Sequence, residues 1–142
     1  MTGDRRPGTA DFLVIPRPIF EEMIAHCKKG YPYEACGILA GEGNMVSKIY
    51  TMTNIEESPV SYLLDSKEQF NVMKDMRENS LSMVAIFHSH PSSAAYPSLT
   101  DVNLAFYEDA AYVIVSLIQS TPVVKGFSIK AGKIEEVGVV VQ

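Results

Sequence analysis

The stretch "AIFHSHPSSAAYPSLTD", residues 85–101, decides how this chain folds and what its fold presents. It joins an apolar run to two histidines one residue apart, then a loop rich in proline, serine and alanine, then a helix-start pattern. The chain has three histidines, and two of them, His88 and His90, fall here. Side chains two apart on a strand point to the same face. A strand running through His90 therefore aims both imidazoles at one point and turns Ser89 away. Two neutral imidazoles offered from a rigid strand make half of a transition-metal site. H-x-H alone is a short motif, and a histidine at a strand end more often takes an ordinary hydrogen bond. Pairing at i, i+2 on a buried strand weakens that ordinary reading without deciding against it.

A third ligand is offered by Asp101, in the first turn of a helix that follows the loop. "PSSAAYPSLT" can fold back and bring that helix start to the strand end. His88, His90 and Asp101 would then leave a fourth position open for water, the pattern of a catalytic zinc rather than a closed structural one. Ser98 three residues before Asp101 is also a helix-capping pattern in its own right. Taken alone, capping explains both residues; beside H-x-H, the metal reading gains.

Working outward, 142 residues suit one domain with a single sizeable core. A hydrophobic fraction of 46% with 20% charged residues is that of a globular protein. A net charge of −5 offers no basic field to a phosphate backbone, so nucleic acid is not an expected partner. No run approaches eighteen apolar residues, so no membrane-spanning helix is expected. Cys27 and Cys36 are too few for a disulfide framework and lack C-x2-C spacing, which points to a reducing, cytoplasmic setting. Residues 1–11, polar and holding glycine and proline, read as a loose tail without a secretory signal, and residues 12–142 as the domain.

"PRPIFEEMIAHCKKG" reads as a helix with Ile19, Phe20, Met23, Ile24 and Cys27 on one face, acids early, lysines late and Gly30 placed for the cap. "ACGILAGE" and "MVSKIYTMTN" read as a hairpin, and "IEESPVSYLL" as an irregular connection. A second helix is expected from "DSKEQ", capped by Ser66 and Gln69, with Phe70, Met73 and Met76 inward. "LSMVAIFH" and "AYVIVSLI" are apolar on both sides, as central strands are. Between them "SLTDVNLAFYED" suggests a short third helix. "VVKGFSIKA" and "KIEEVGVVV" form a closing hairpin around Ala131-Gly132. The fold class is α/β (α+β): a layered mixed sheet with helices on both sides.

A metal-activated water needs a proton acceptor, and "YPYEACGILAG" places Glu34 at the mouth of an apolar strand. A charge there must be solvated, paired or functional, and an exposed loop glutamate is the ordinary case. With Glu34 included, the residues resemble the JAMM (MPN+) metalloprotease family, whose signature is a glutamate upstream of H-x-H-x7-S-x2-D. Here it reads Glu34, His88-Ser89-His90, Ser98 and Asp101, with matching spacing, and the element order matches over nearly the whole chain past the tail. The resemblance implies a JAMM/MPN architecture, related to that of cytidine deaminases. It implies Zn2+ held by His88, His90 and Asp101, a water activated by Glu34, and an oxyanion hydrogen bond from Ser98. The substrate it implies is a peptide or isopeptide bond after the C-terminal Gly-Gly of a ubiquitin-like protein. Lacking room for the insertions of deubiquitinating members, the chain is similar to minimal prokaryotic forms that process sulfur-carrier proteins. Loops 55–64 and 91–97, with Tyr62 and Tyr96, are the expected walls of a channel for that tail. Ser89 is expected to serve packing, and Cys36 to be an inert core residue.

Three other readings fit less well. A non-catalytic MPN-type scaffold would ordinarily lack one or more ligands, and none is missing here. A zinc nucleoside deaminase needs P-C-x-x-C, absent from this chain. A two-histidine, one-carboxylate iron oxygenase usually sits in an all-β barrel.

Overall fold

The computed structural model describes residues 12–142, so the tail expected over residues 1–11 lies outside the described residues. In chain order the elements are β1 (Phe12–Ile15), α1 (Arg17–Gly30), β2 (Cys36–Glu42), β3 (Met45–Met52), α2 (Ser66–Glu78), β4 (Ser82–His90), α3 (Leu99–Asn103), β5 (Ala111–Ser116), β6 (Val123–Lys130) and β7 (Lys133–Val141). The strands form one mixed sheet in the order β1-β3-β2-β4-β5-β6-β7, closed by β1 on β7.

β4 lies at the centre, antiparallel to β2 and parallel to β5, and it is buried almost throughout. Its alternation divides the core. Ala85 and Phe87 join Met23 and Cys27 of α1, with Ile19, Phe20 and Ile24 packed alongside. Ile86 faces the opposite side with Tyr112, Ile114 and Phe127, where Val102 of α3 also packs. α2 covers a neighbouring patch, setting Val72, Met73 and Met76 against Ile38, Ala40 and Met52. Helices thus cover both sides of a mixed sheet, as the sequence implies. Among the described residues no helix is long and apolar enough to cross a membrane.

Several local expectations shift. β1 is a strand the sequence does not announce, because four residues are too few to show a period; it is defined by parallel pairing with β7 far along the chain and with β3. The first turn of α1 has no acid, its lysines do fall in the last turn, and Gly30 is the final helical residue with Tyr31 in the cap position. α2 is capped by Asp65, not Ser66: its carboxylate accepts from Lys67 N at 2.9 Å and Glu68 N at 3.0 Å. A carboxylate satisfies two free amides and suits the positive helix end, which leaves Ser66 as the first helical residue. Phe70 points outward and is 68% exposed. At 3.6 residues per turn it falls about 110° from the centre of the Val72–Met73–Met76 stripe. α3 stops after five residues instead of reaching Asp109. Beyond it Leu104 and Phe106 find no core to enter, and the Tyr107 amide turns to the Tyr112 hydroxyl at 3.1 Å. The closing hairpin turns at Ala131 and Gly132, with φ of 51° and 79°.

Gly37, paired with Phe87 of β4 and Thr51 of β3, has no room for a side chain. A Cβ there would lie 2.4 Å from both the Phe87 ring and the Tyr50 carbonyl oxygen. Gly37→Ala should therefore destabilise the fold by about 1–3 kcal/mol through overpacking. Urea unfolding checks this; an unchanged midpoint would show that the Phe87 ring and the Tyr50 carbonyl can both give way at no cost.

Candidate metal centre

β4 ends in His88 and His90, both almost fully buried on the face opposite α1. The register pairs His88 with Cys36 across β2, so the residues just before β2 approach the ends of the two rings. α3 supplies the third group. Ser98 accepts the Asp101 amide at 3.0 Å, and the Asp101 carboxylate accepts the Ser98 amide at 3.0 Å, a reciprocal capping box. That box fixes Asp101 so that its Oδ2 lies 3.1 Å from His88 Nε2 and 3.0 Å from His90 Nε2. The two Nε2 atoms are 3.2 Å apart. The helix-start reading of Ser98 and Asp101 therefore holds, and the same capping box carries the Asp101 carboxylate to the two rings.

With no proton between them, these three atoms form a small triangle of acceptors. His90 Nδ1 donates to the Ala94 carbonyl at 2.8 Å, which leaves a lone pair on Nε2. His88 Nδ1 is buried with no hydrogen-bond partner, and the Tyr62 ring stacks on this imidazole at 4.7 Å. Two imidazole lone pairs and a carboxylate oxygen converging this closely call for a cation. A tetrahedral ion with bonds of about 2.0–2.1 Å needs donors about 3.3–3.4 Å apart, close to the observed spacing. The donor set, two nitrogens and one oxygen, fits a divalent metal.

Glu34 completes the site. It precedes β2, is 3% exposed, and its Oε1 has no hydrogen-bond partner. One of its oxygens and one ring nitrogen from each of His88 and His90 lie within 4.8 Å of one another. Burial pushes the Glu34 carboxyl up to about 8, with His90 pulling it back and Asp101 and Glu56 pushing further. Burial lowers the His88 ring despite Asp101. It also opposes the charged form of His90, but Asp101, the Ala94 carbonyl and Glu34 outweigh it and raise that ring. Burial alone would raise Asp101, yet hydrogen bonds from both histidines hold it far below the usual carboxylate range.

The remaining expectations divide. Tyr62 stands against the site as expected, whereas Tyr96 turns edge-on to Phe127 at 5.5 Å and is 57% exposed. Cys36 is buried and its thiol is pushed up to about 12 by burial, so it is a poor thiolate ligand. His26 directs its Nε2 to the Cys36 and Met52 carbonyls at 3.1 and 3.2 Å, away from the metal site. Ser89 does more than pack. Its hydroxyl accepts the Ala35 amide at 2.8 Å and its amide donates to the Ala35 carbonyl at 3.0 Å. A hydroxyl between two inward histidines is the signal that could have marked it.

Residues 16–130 match the family model described as prokaryotic homologs of the JAB domain. The chain belongs to this family. A CysO-cysteine peptidase of Mycobacterium tuberculosis is 47% identical over 113 residues, covering 78% of this chain and 77% of the relative. A Thermus thermophilus protein named "Probable TtuB-protein conjugate cleaving protease" is 32% identical over 130 residues, 91% of this chain and 82% of the relative. A solution structure from Desulfitobacterium hafniense superposes with a TM-score of 0.84 at 37% identity, covering 92% of this chain and 93% of that one. The JAB-domain fold thus holds over nearly all of the described residues.

A buried carboxyl raised to about 8 makes a prediction about pH. Its stability cost is absent below the unfolded value of 4.5, grows as pH rises, and is complete above about 8. In the metal-free protein, Glu34→Gln should match wild type in urea near pH 4.5 and exceed it increasingly toward pH 8.5. Parallel stability curves for the two proteins would show that Glu34 is solvated.

Proposed function

We propose that this chain is a zinc-dependent peptidase that cuts the peptide or isopeptide bond after the C-terminal Gly-Gly of a ubiquitin-like, sulfur-carrier type protein. The observation that carries the reading is the convergence of His88, His90 and Asp101 within 3.2 Å beside a buried, unpartnered Glu34 oxygen. Relatives named for CysO-cysteine and for TtuB–protein conjugates support the substrate class.

His88 Nε2, His90 Nε2 and Asp101 Oδ2 would hold the zinc. When bound, zinc acts as a Lewis acid toward the scissile carbonyl and lowers the pKa of water. Asp101 brings one negative charge, so it also lowers the charge of the loaded site. Glu34 accepts a proton from the attacking water on its free carboxylate oxygen and returns it to the leaving amine. Its burial suits both halves, because a raised pKa keeps the protonated form accessible near neutral pH. Ser98 accepts the Asp101 amide through a lone pair of Oγ, and its hydroxyl proton remains free to donate. That proton stabilises the oxyanion that develops on the scissile carbonyl. Tyr62, stacked on His88, forms one wall beside the substrate's glycine tail. Two buried, unpaired cysteines suit a reducing cytoplasm.

A non-catalytic scaffold would gain nothing from burying Glu34 without a partner, which is costly to the fold. The deciding experiment compares zinc content and turnover of single variants on a carrier protein extended beyond its Gly-Gly. Glu34→Gln should bind zinc like wild type and lose nearly all turnover, whereas Asp101→Asn should lose the zinc. Ser98→Ala should keep its zinc and lose roughly 10²-fold in kcat, the usual cost of one oxyanion donor. Full turnover by Glu34→Gln would overturn the general-base role, and wild-type protein that takes up no zinc would support the scaffold reading.

A further inference from the structure

Glu34 lies outside the ladder that orders β2, which begins at Cys36. Its backbone is held instead by the segment that follows β3. The Glu34 amide donates to the Ser58 carbonyl at 2.8 Å, and the Glu34 carbonyl accepts from Asn54 Nδ2 at 2.9 Å. Asn54 uses its whole amide in this way. Nδ2 also donates to the Ser61 carbonyl at 3.0 Å, and Oδ1 accepts the Glu56 and Leu63 amides at 3.0 Å each. The orientation of the amide is unambiguous, since two carbonyls face one end and two N–H groups face the other.

These bonds close residues 55–63 into a compact loop. Asn54 forms a single β-bridge with Leu64, and the Ile55 amide donates to the Leu63 carbonyl at 3.0 Å. Near the loop's end stands Tyr62, whose ring stacks on His88. One side chain therefore fixes both the glutamate's main chain and the loop that covers a histidine of the metal centre. Neither role is visible from the signature residues alone.

We propose that Asn54 is a positioning residue for the hydrolytic reaction: its side-chain amide sets Glu34 and the Tyr62 loop as one rigid unit against the metal centre. This rests on the reading of Glu34 as the general base. Asn54 touches neither substrate nor metal and acts through Glu34 and Tyr62. A displacement of the base by a fraction of its reach slows proton transfer without unseating the ion, whose ligands come from β4 and α3. The consequence is a preformed wall, not a loop that orders on binding.

The test uses Asn54→Asp and Asn54→Ala in the full chain. Aspartate retains the acceptor for Glu56 and Leu63 and loses both donated bonds, including that to Glu34; alanine loses all four. Zinc stoichiometry, amide hydrogen exchange by NMR, and turnover of a sulfur-carrier protein bearing one cysteine after its Gly-Gly are measured for each. Both variants should bind zinc as wild type does. Both should lose roughly 10- to 100-fold in kcat per zinc-loaded chain, with KM changed by less than about threefold in Asn54→Asp, which keeps the Glu56 and Leu63 bonds of the loop. The Glu56 and Leu63 amides should exchange slowly in wild type and in Asn54→Asp, and rapidly in Asn54→Ala. A kcat within about twofold of wild type in Asn54→Asp overturns the proposal. So does rapid exchange of those two amides in the wild-type protein, a result that needs no variant and no substrate. If Glu34→Gln remains active, the general-base reading itself falls; if it is inactive while Asn54→Asp is not, only the role of Asn54 falls.

Discussion

The bonds between Ser89 and Ala35 carry more of this structure than their size suggests. Ser89 is the residue that β4 must turn away so that His88 and His90 can face one point. Its hydroxyl and amide grip the Ala35 main chain from the opposite face, at 2.8 and 3.0 Å. Ala35 is the neighbour of Glu34, and so the two halves of the site, 54 residues apart in sequence, are registered to each other by one residue of the H-S-H triplet. A hydroxyl bonded to a buried amide is geometrically strict, because losing it leaves an unpaired donor in the core. The order of the strands follows the same logic: β2 must lie beside β4 for the glutamate and the histidines to meet.

The site concentrates unfavourable terms that the rest of the fold offsets. Three acceptor atoms crowd one point, His88 Nδ1 has no partner, and a carboxylate is buried with one oxygen bare. Each would weaken an ordinary core. Here they are set on β4 between well-packed apolar layers, with α1 on one face and α2 and α3 on the other. Such rigidity allows the groups to be held in readiness for a cation and a water. The division of labour is clean: strand and helix cap hold the three proposed ligands, and the chain between β3 and α2 holds Glu34, the proposed base.

How much of this was legible in sequence depended on how local each pattern is. The facing pair His88 and His90 follows from the strand period, and Asp101 with Ser98 from a helix-start motif eleven residues on. Glu34 is an unusual charge at the mouth of an apolar strand, but only the resemblance to the metalloprotease family implied that it meets the other four residues. β1 is not legible, because pairing with β7 and β3, both distant in sequence, is what makes those four residues a strand. Asn54 and the bonding role of Ser89 were hidden for the same reason, since their partners lie across the fold. Phe70 is hydrophobic yet lies off the buried angle of its helix, and α3 ends where no core exists to receive Leu104 and Phe106.

The central claim is that a divalent metal is bound by two imidazoles and a carboxylate, with sulfur excluded although Cys36 is paired directly opposite His88. X-ray absorption at the zinc edge of the loaded wild-type protein tests this directly. Four nitrogen or oxygen scatterers are expected at about 2.0–2.1 Å, two of them with the outer-shell signature of imidazole. A sulfur scatterer at about 2.3 Å, or a first shell without imidazole, would contradict it.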